Sequence, residues 1–262
     1  QTLKAAGDAD AFVSSLVEQA KDSKRIRAAF KREVPGTAKT AKMGFCAANL
    51  DMKKIAGALA GGTVKGIAVF AGYDTTKLSQ DLELTTMAEI FLKQGILCLS
   101  EGDASVALSK YGYLTPGGDI ACADGVKATV EALGAPSVID VSACGIGDFL
   151  CGLSAAAGKE LKDLPVAVIF AEASRTVDVV KAMAATALGA NTYFWPFLPV
   201  SGSDQVMSAL GDFCKATFGG ELHVITRKLA PRVKAAMIGK VLTGEEGPDV
   251  SGNPWYGKTG AA

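Results

Sequence analysis

An α/β fold with a mostly parallel sheet is predicted by three observations. Short apolar runs end in glycine-containing turns at Val69-Phe70-Ala71-Gly72-Tyr73-Asp74, at Leu97-Cys98-Leu99-Ser100-Glu101-Gly102-Asp103 and at Val138-Ile139-Asp140-Val141-Ser142-Ala143-Cys144-Gly145. Candidate strands at 66–71, 95–99, 137–141, 165–170, 191–195 and 221–226 alternate with helical patterns, which builds a parallel sheet through crossover connections. Several runs, such as Val166-Ala167-Val168-Ile169-Phe170, are apolar at every position, as strands covered on both faces are. In such a sheet the turns after the strand C-termini share one crevice, where ligands bind.

The remaining elements follow in order. An amphipathic helix is predicted over 8–32, with Phe12, Leu16, Ala20, Ile26 and Phe30 as apolar contacts and a basic end suited to the helix dipole. Pro35-Gly36 breaks it, and 33–43 read as an extended linker. A short helix at about 50–59 has Asp51 as its N-cap and Gly61-Gly62 as its stop. Further helices are predicted at 77–94, 104–111, 121–134, 146–158, 174–188, 203–218 and 229–242. The Gly/Pro-rich stretch 244–262 has no periodicity, and Trp255-Tyr256 is its expected anchor. The chain thus divides into a helix and linker (1–45), a three-layer Rossmann-like domain (46–243) and a tail (244–262).

Composition narrows the function classes. With 27 basic and 27 acidic residues there is no net field to attract nucleic acid. No apolar run reaches the roughly 20 residues that a membrane helix needs. Six cysteines without a CxxC pair read as reduced thiols of a cytoplasmic protein. The chain opens at Gln1 without a signal-peptide pattern and is expected to be part of something longer. The single histidine, His223, falls in a strand, so a conventional zinc site is not expected.

The acids Glu101, Asp103, Asp140, Asp148 and Glu172 lie in or near the crevice on this reading. Two or more together bind a hard cation such as magnesium or raise one another's pKa. The competing reading makes Asp103 and Asp148 helix caps and pairs Glu172 with Arg175 locally. Cys144 reads either as a metal ligand or, more simply, as a small buried hydrophobe. Cys98 reads as core, and Cys46 and Cys214 as packing residues; Cys151, seven positions after Cys144, can approach it without facing it. Gly145-Ile146-Gly147 comes nearest to a dinucleotide fingerprint but has Leu150 in place of the third glycine, which leaves a backbone anion cradle at 145–148 as a further option.

With their flanks, the three turns resemble the C-terminal α/β domain of the nickel-iron-sulfur carbon monoxide dehydrogenases and the related hybrid cluster proteins. In that family they read roughly G-C-N-N-P-K, T-T-G-C-A and G-S-C-x-D-N, and each cysteine holds the active-site metal cluster. Here the places are taken by Gly72-Tyr73-Asp74-Thr75-Thr76-Lys77, Ser100-Glu101-Gly102-Asp103-Ala104 and Ser142-Ala143-Cys144-Gly145-Ile146-Gly147. The flanks Lys65-Gly66-Ile67-Ala68, Lys93-Gln94-Gly95-Ile96-Leu97, Asp163-Leu164-Pro165-Val166-Ala167 and Leu198-Pro199-Val200-Ser201-Gly202-Ser203 extend the likeness over about 10–245.

The resemblance makes Tyr73, Asp103 and Cys144 the vestigial cluster positions. It also places the family's acid-base lysine, counted back from Leu188-Gly189 without gaps, at Val177. Soft thiolates hold iron-sulfur clusters, whereas a phenol and a carboxylate are hard ligands. The implied function is therefore a carbon monoxide dehydrogenase-like subunit that has lost its cluster and needs no cofactor. It would act as a structural or partner subunit of an anaerobic metalloenzyme complex, or as a homo-oligomer. One alternative is an active oxidoreductase with an altered iron-sulfur or nickel-iron-sulfur cluster, converting CO and water to CO2 or reducing hydroxylamine. The other is a small-molecule or anion binding module.

Overall fold

A computed structural model describes residues 7–29, 40–72, 81–173, 175–225 and 229–245. Contacts divide the chain into two compact units, 1–38 and 39–262. Among the described residues the first contains one helix, α1 (Gly7–Ala29), in which Val13, Leu16 and Val17 are exposed. Leu16 was expected to make an apolar contact; the structure leaves it in solvent.

The second unit runs α2 (Met52–Ala60), β1 (Gly66–Phe70), α3 (Leu82–Lys93), β2 (Ile96–Ser100), α4 (Asp103–Lys110), α5 (Asp124–Ala132), β3 (Val138–Asp140), α6 (Gly145–Ala157), β4 (Val166–Phe170), α7 (Thr176–Ala187), β5 (Asn191–Phe194), α8 (Asp204–Phe218), β6 (Leu222–Val224) and α9 (Pro231–Thr243). The six strands form one sheet in the order β3-β2-β1-β4-β5-β6, and every neighbouring pair is parallel. The α/β, mostly parallel architecture expected from the sequence is the one observed.

Every residue of β1, β2 and β4 is buried. Because successive side chains point to opposite faces, both faces of the sheet must be covered. Phe70 stacks on Phe91 of α3 with ring centroids 5.9 Å apart, and Phe170 stacks on Phe194 at 6.0 Å. α3 packs against α9, and α2 against α5 and α6.

The α3–α9 contact carries a buried ion pair. Lys234 Nζ donates to Glu83 Oε1, and the Trp195 indole donates to Glu83 Oε2 at 3.2 Å. Lys234 Nζ also lies 4.3 Å from the centre of the Trp195 ring, so the cation is held by a carboxylate and an aromatic face together.

Helix starts differ from expectation in a readable way. The helix expected at 77–94 begins, among the described residues, at Leu82, because Asp81 has a left-handed φ of 65° that no α-helix continues through. Asp51 caps α2 as expected, accepting from the Lys54 N–H at 3.1 Å. Residues 77–80, and Trp255-Tyr256 with the tail beyond residue 245, lie outside the described residues. Among those described, no helix is long and apolar enough to cross a membrane.

Sheet order reverses at β1, whose neighbours are β2 and β4. The crevice of a doubly wound sheet opens above such a strand end. Gly72, just past β1, runs so close to the end of β4 that a Cβ there would sit 2.0 Å from the Ala171 nitrogen. Only glycine permits that approach.

Candidate functional site

Two ion pairs bridge the crevice above β1. Glu101 and Asp103 follow β2, Arg175 and Lys181 follow β4, and β1 lies between them in the sheet. Arg175 Nη1 lies 2.8 Å from Asp103 Oδ2, and Lys181 Nζ donates to Glu101 Oε1 at 2.5 Å. Arg175 also forks onto Asp178, with Nε 3.2 Å from Oδ2 and Nη2 3.2 Å from Oδ1. These bonds to Asp178 chiefly, offset by burial and reinforced by Asp103, raise the Arg175 pKa above its ordinary value.

Both aspartates, Asp103 and Asp148, lie in the first helical turn, where the sequence places them to suit the helix dipole, but neither is the N-cap residue. The N-cap of α4 is Gly102 and that of α6 is Cys144, and neither helix has a side-chain cap bond. Asp103 is the first residue of α4 and uses its carboxylate on Arg175. Asp148, in the first turn of α6, accepts from the Ala47 N–H at 2.8 Å and so fastens a distant loop. Glu172 is fully buried and has a left-handed φ of 52°. Tyr73 lies outside the described residues.

Glu101 also floors a cavity of about 180 Å³ between α6 and α7, walled by Gly145, Ile146, Leu150, Lys181 and Leu188. Its Oε2 is buried and finds no hydrogen-bond partner among the described residues. Val177, the position counted for the family lysine, is exposed. Lys181, about one helical turn further along α7, is the lysine that reaches the crevice among the described residues, and sequence reasoning missed it.

Asp140 at the end of β3 is a structural hub rather than a free acid. Its Oδ2 accepts from the Gly44 N–H at 2.8 Å, and its Oδ1 accepts from Ser105 Oγ at 2.6 Å and Ser142 Oγ at 2.5 Å. Its backbone carbonyl accepts from the Phe45 N–H at 2.9 Å. Ser142 Oγ in turn accepts from the Gly102 N–H at 2.9 Å, linking the turns after β2 and β3.

That hub brings the 44–50 segment against the start of α6. The expectation of a buried Cys144 is corrected: Cys144 is exposed, because Gly145 turns left-handed (φ 82°) and α6 begins with the thiol outside the core. Cys46 is corrected too, from a packing residue to a half-buried rim residue in a turn. The sulfurs of Cys46 and Cys144 and a carboxylate oxygen of Asp148 all lie within 4.8 Å of one another. The hydrogen bond that the Cys144 thiol makes to Cys46, which holds the proton on Cys144, is the main cause of a Cys144 pKa above its ordinary 9.0, with the negative charge of Asp148 acting the same way. Cys98 and Cys214 are buried, as expected of packing residues.

His223 sits in β6 as the sequence predicts, stacked on Tyr193 with ring centroids 4.7 Å apart. Its Nε2 lies 3.4 Å from Glu221 Oε2.

Comparison with known proteins agrees with the α/β fold. The sequence matches the Prismane/CO dehydrogenase family over residues 2–226, and the chain belongs to that family. Carbon monoxide dehydrogenase 2 of Methanosarcina acetivorans is 31% identical over 172 residues, covering 64% of this chain and 27% of the relative. A nickel-free carbon monoxide dehydrogenase from Thermococcus sp. AM4 superposes with a TM-score of 0.68 at 26% identity, covering 77% of this chain and 33% of that one. Acetyl-CoA synthase/carbon monoxide dehydrogenase alpha subunits with NiZn[Fe4S4] and NiNi[Fe4S4] clusters superpose at 0.66 with 24% identity, over 74% of this chain and 30% of theirs. The chain spans about a third or less of the length of these proteins.

The donor set can be tested against such a cluster. A four-iron cluster with a further metal takes thiolates on several of its ions. Among the described residues the donors that converge are two thiols and one carboxylate, enough for one ion. Asp103 already faces a guanidinium. This set does not fit a multi-metal cluster.

Proposed function

We propose that this chain is a carbon monoxide dehydrogenase-like subunit that has lost the multi-metal cluster and acts as a structural or partner subunit of an anaerobic metalloenzyme assembly in the cytoplasm. The observation that carries this reading is the Asp103–Arg175 pair. A carboxylate stands where the family resemblance places a cluster thiolate, and it is neutralised by a cation from across the crevice. The second bridge, Glu101–Lys181, crosses the same strand end. Soft iron and nickel prefer thiolate to such hard, already paired oxygen.

The exposed Val13, Leu16 and Val17 of α1 supply a docking face for other subunits or further copies of the chain. Family membership supports the subunit reading. Native mass spectrometry on protein purified anaerobically from its source tests it. The expected species contains other subunits or more than one copy. A lone chain that oxidises CO with a viologen acceptor contradicts it.

A further inference from the structure

We infer that Cys46, Cys144 and Asp148 form a site for a single borderline-soft divalent cation of the zinc class, sharing only Cys144 with the positions that the family resemblance gives to the cluster. The ligand atoms already lie within 4.8 Å of one another. A tetrahedral ion with Zn–S near 2.3 Å and Zn–O near 2.0–2.2 Å needs its ligands only about 1 Å closer together than that limit. Two thiolates exclude hard cations such as magnesium, and a third ligand from a carboxylate leaves the fourth position to water.

The site is built before any ion arrives. Asn49 closes the Cys46 turn, its Oδ1 accepting from the Cys46 N–H at 2.8 Å and its Nδ2 donating to the Gly44 carbonyl at 3.1 Å. The Cys46 carbonyl accepts from the N–H groups of Asn49 and Leu50 at 3.1 and 3.0 Å. Asp148 binds the Ala47 N–H with Oδ2, an outer contact that orients the carboxylate while leaving Oδ1 for an ion. α6 comes so close that a Cβ on Gly152 would lie 2.8 Å from the Ala47 Cβ. Asp140 holds Gly44 and Phe45 from the other side. The backbone around Cys46 is thus pinned at both ends of the turn. An ion bound here needs only the release of two thiol protons and small side-chain rotations.

This proposal departs from the sequence expectation that a single strand histidine and scattered cysteines leave no conventional zinc site. Cys46 and Cys144 are far apart in sequence and converge only through Asp140 and Asp148. This site is separate from the question of the lost cluster: acid-labile sulfide decides that, and a sulfide-free single ion decides this.

Anaerobic titration of the reduced full chain with Co2+ is the test. The expected result is one equivalent bound, with an intense thiolate-to-cobalt band and the visible bands of a tetrahedral ion. Cys46→Ala and Cys144→Ala each remove the band, and Asp148→Asn weakens binding roughly 10-fold or more. Cys151→Ala, an exposed thiol outside the group, leaves the titration unchanged. Zn2+ is expected to slow alkylation of Cys46 and Cys144 and not of Cys151. A titration without the band overturns the inference, as does a band that survives Cys46→Ala or equal alkylation of Cys46 with and without Zn2+.

Discussion

Arg175 Nη1 lies 2.8 Å from Asp103 Oδ2, so the start of α7 is tied to the start of α4 over the end of β1. The place where a doubly wound sheet ordinarily receives its ligand is crossed here by the protein's own charges. The side chains of this pair are 43% and 49% exposed, so water screens them and the bridge defines geometry more than it adds stability.

Asp103→Ala is accordingly expected to lower unfolding free energy by only about 0.2–1 kcal/mol in urea denaturation. Asp178→Ala is expected to cost more, about 1.5–3 kcal/mol, because the Asp178 side chain is 2% exposed and Arg175 loses its buried acceptor.

Asp140→Ala removes the acceptor shared by Gly44, Ser105 and Ser142. Of these donors only Ser105 is fully buried, Gly44 being half-buried and Ser142 exposed, so a loss of about 1–3 kcal/mol is expected. Amide exchange at Gly44 and Phe45 should accelerate more than exchange in β1, since the Cys46 turn loses one of its two fastenings.

How much of this was legible beforehand follows from how local each feature is. The six strands could be read because runs such as Val166–Phe170 carry their apolar pattern within five residues. Glu101 and Asp103 could be placed near the crevice because each follows β2 within three positions, whereas Asp148, eight past β3, holds the Ala47 loop instead. Their partners could not. Arg175 and Lys181 reach Asp103 and Glu101 only after β4 has been laid beside β1, and nothing in the local pattern of α7 announces it. Cys46 looked like a packing residue because its turn takes its shape from Asp140 and Asp148, both distant in sequence. Cys144 was misjudged because small thiols usually fill cores, whereas the left-handed Gly145 turns this one outward.

Lys234 and Glu83 form a buried pair at the α3–α9 contact. Lys234→Ala or Glu83→Ala should each cost about 3–5 kcal/mol, since each strands a buried charge. The double change Glu83→Leu with Lys234→Met should recover part of that loss, less about 1–3 kcal/mol for the buried Trp195 indole N–H left without Glu83, as read by thermal or urea unfolding.

Stability should depend on pH at two residues of the β5–β6 edge. Burial pushes the His223 pKa below its ordinary 6.5, against the opposing pull of Glu221. The unfolded chain then binds the proton more readily, so this contribution is present above pH 6.5 and is lost as pH falls toward the folded value. Tyr193 is the reverse: burial first and Glu221 second raise its phenol from 10.0 to about 12, so its contribution is present below pH 10 and fades as pH rises to about 12. The Tyr193 hydroxyl is buried with no partner among the described residues. Tyr193→Phe is therefore expected to be neutral or stabilising by about 1 kcal/mol at neutral pH and to flatten the alkaline limb of the stability curve.

Iron and acid-labile sulfide, assayed on the anaerobically purified full chain, test the central claim most directly. The account predicts no acid-labile sulfide and no broad sulfide-to-iron absorption, whatever single divalent ion is present. Stoichiometric iron and sulfide that disappear together in Cys144→Ala would contradict it.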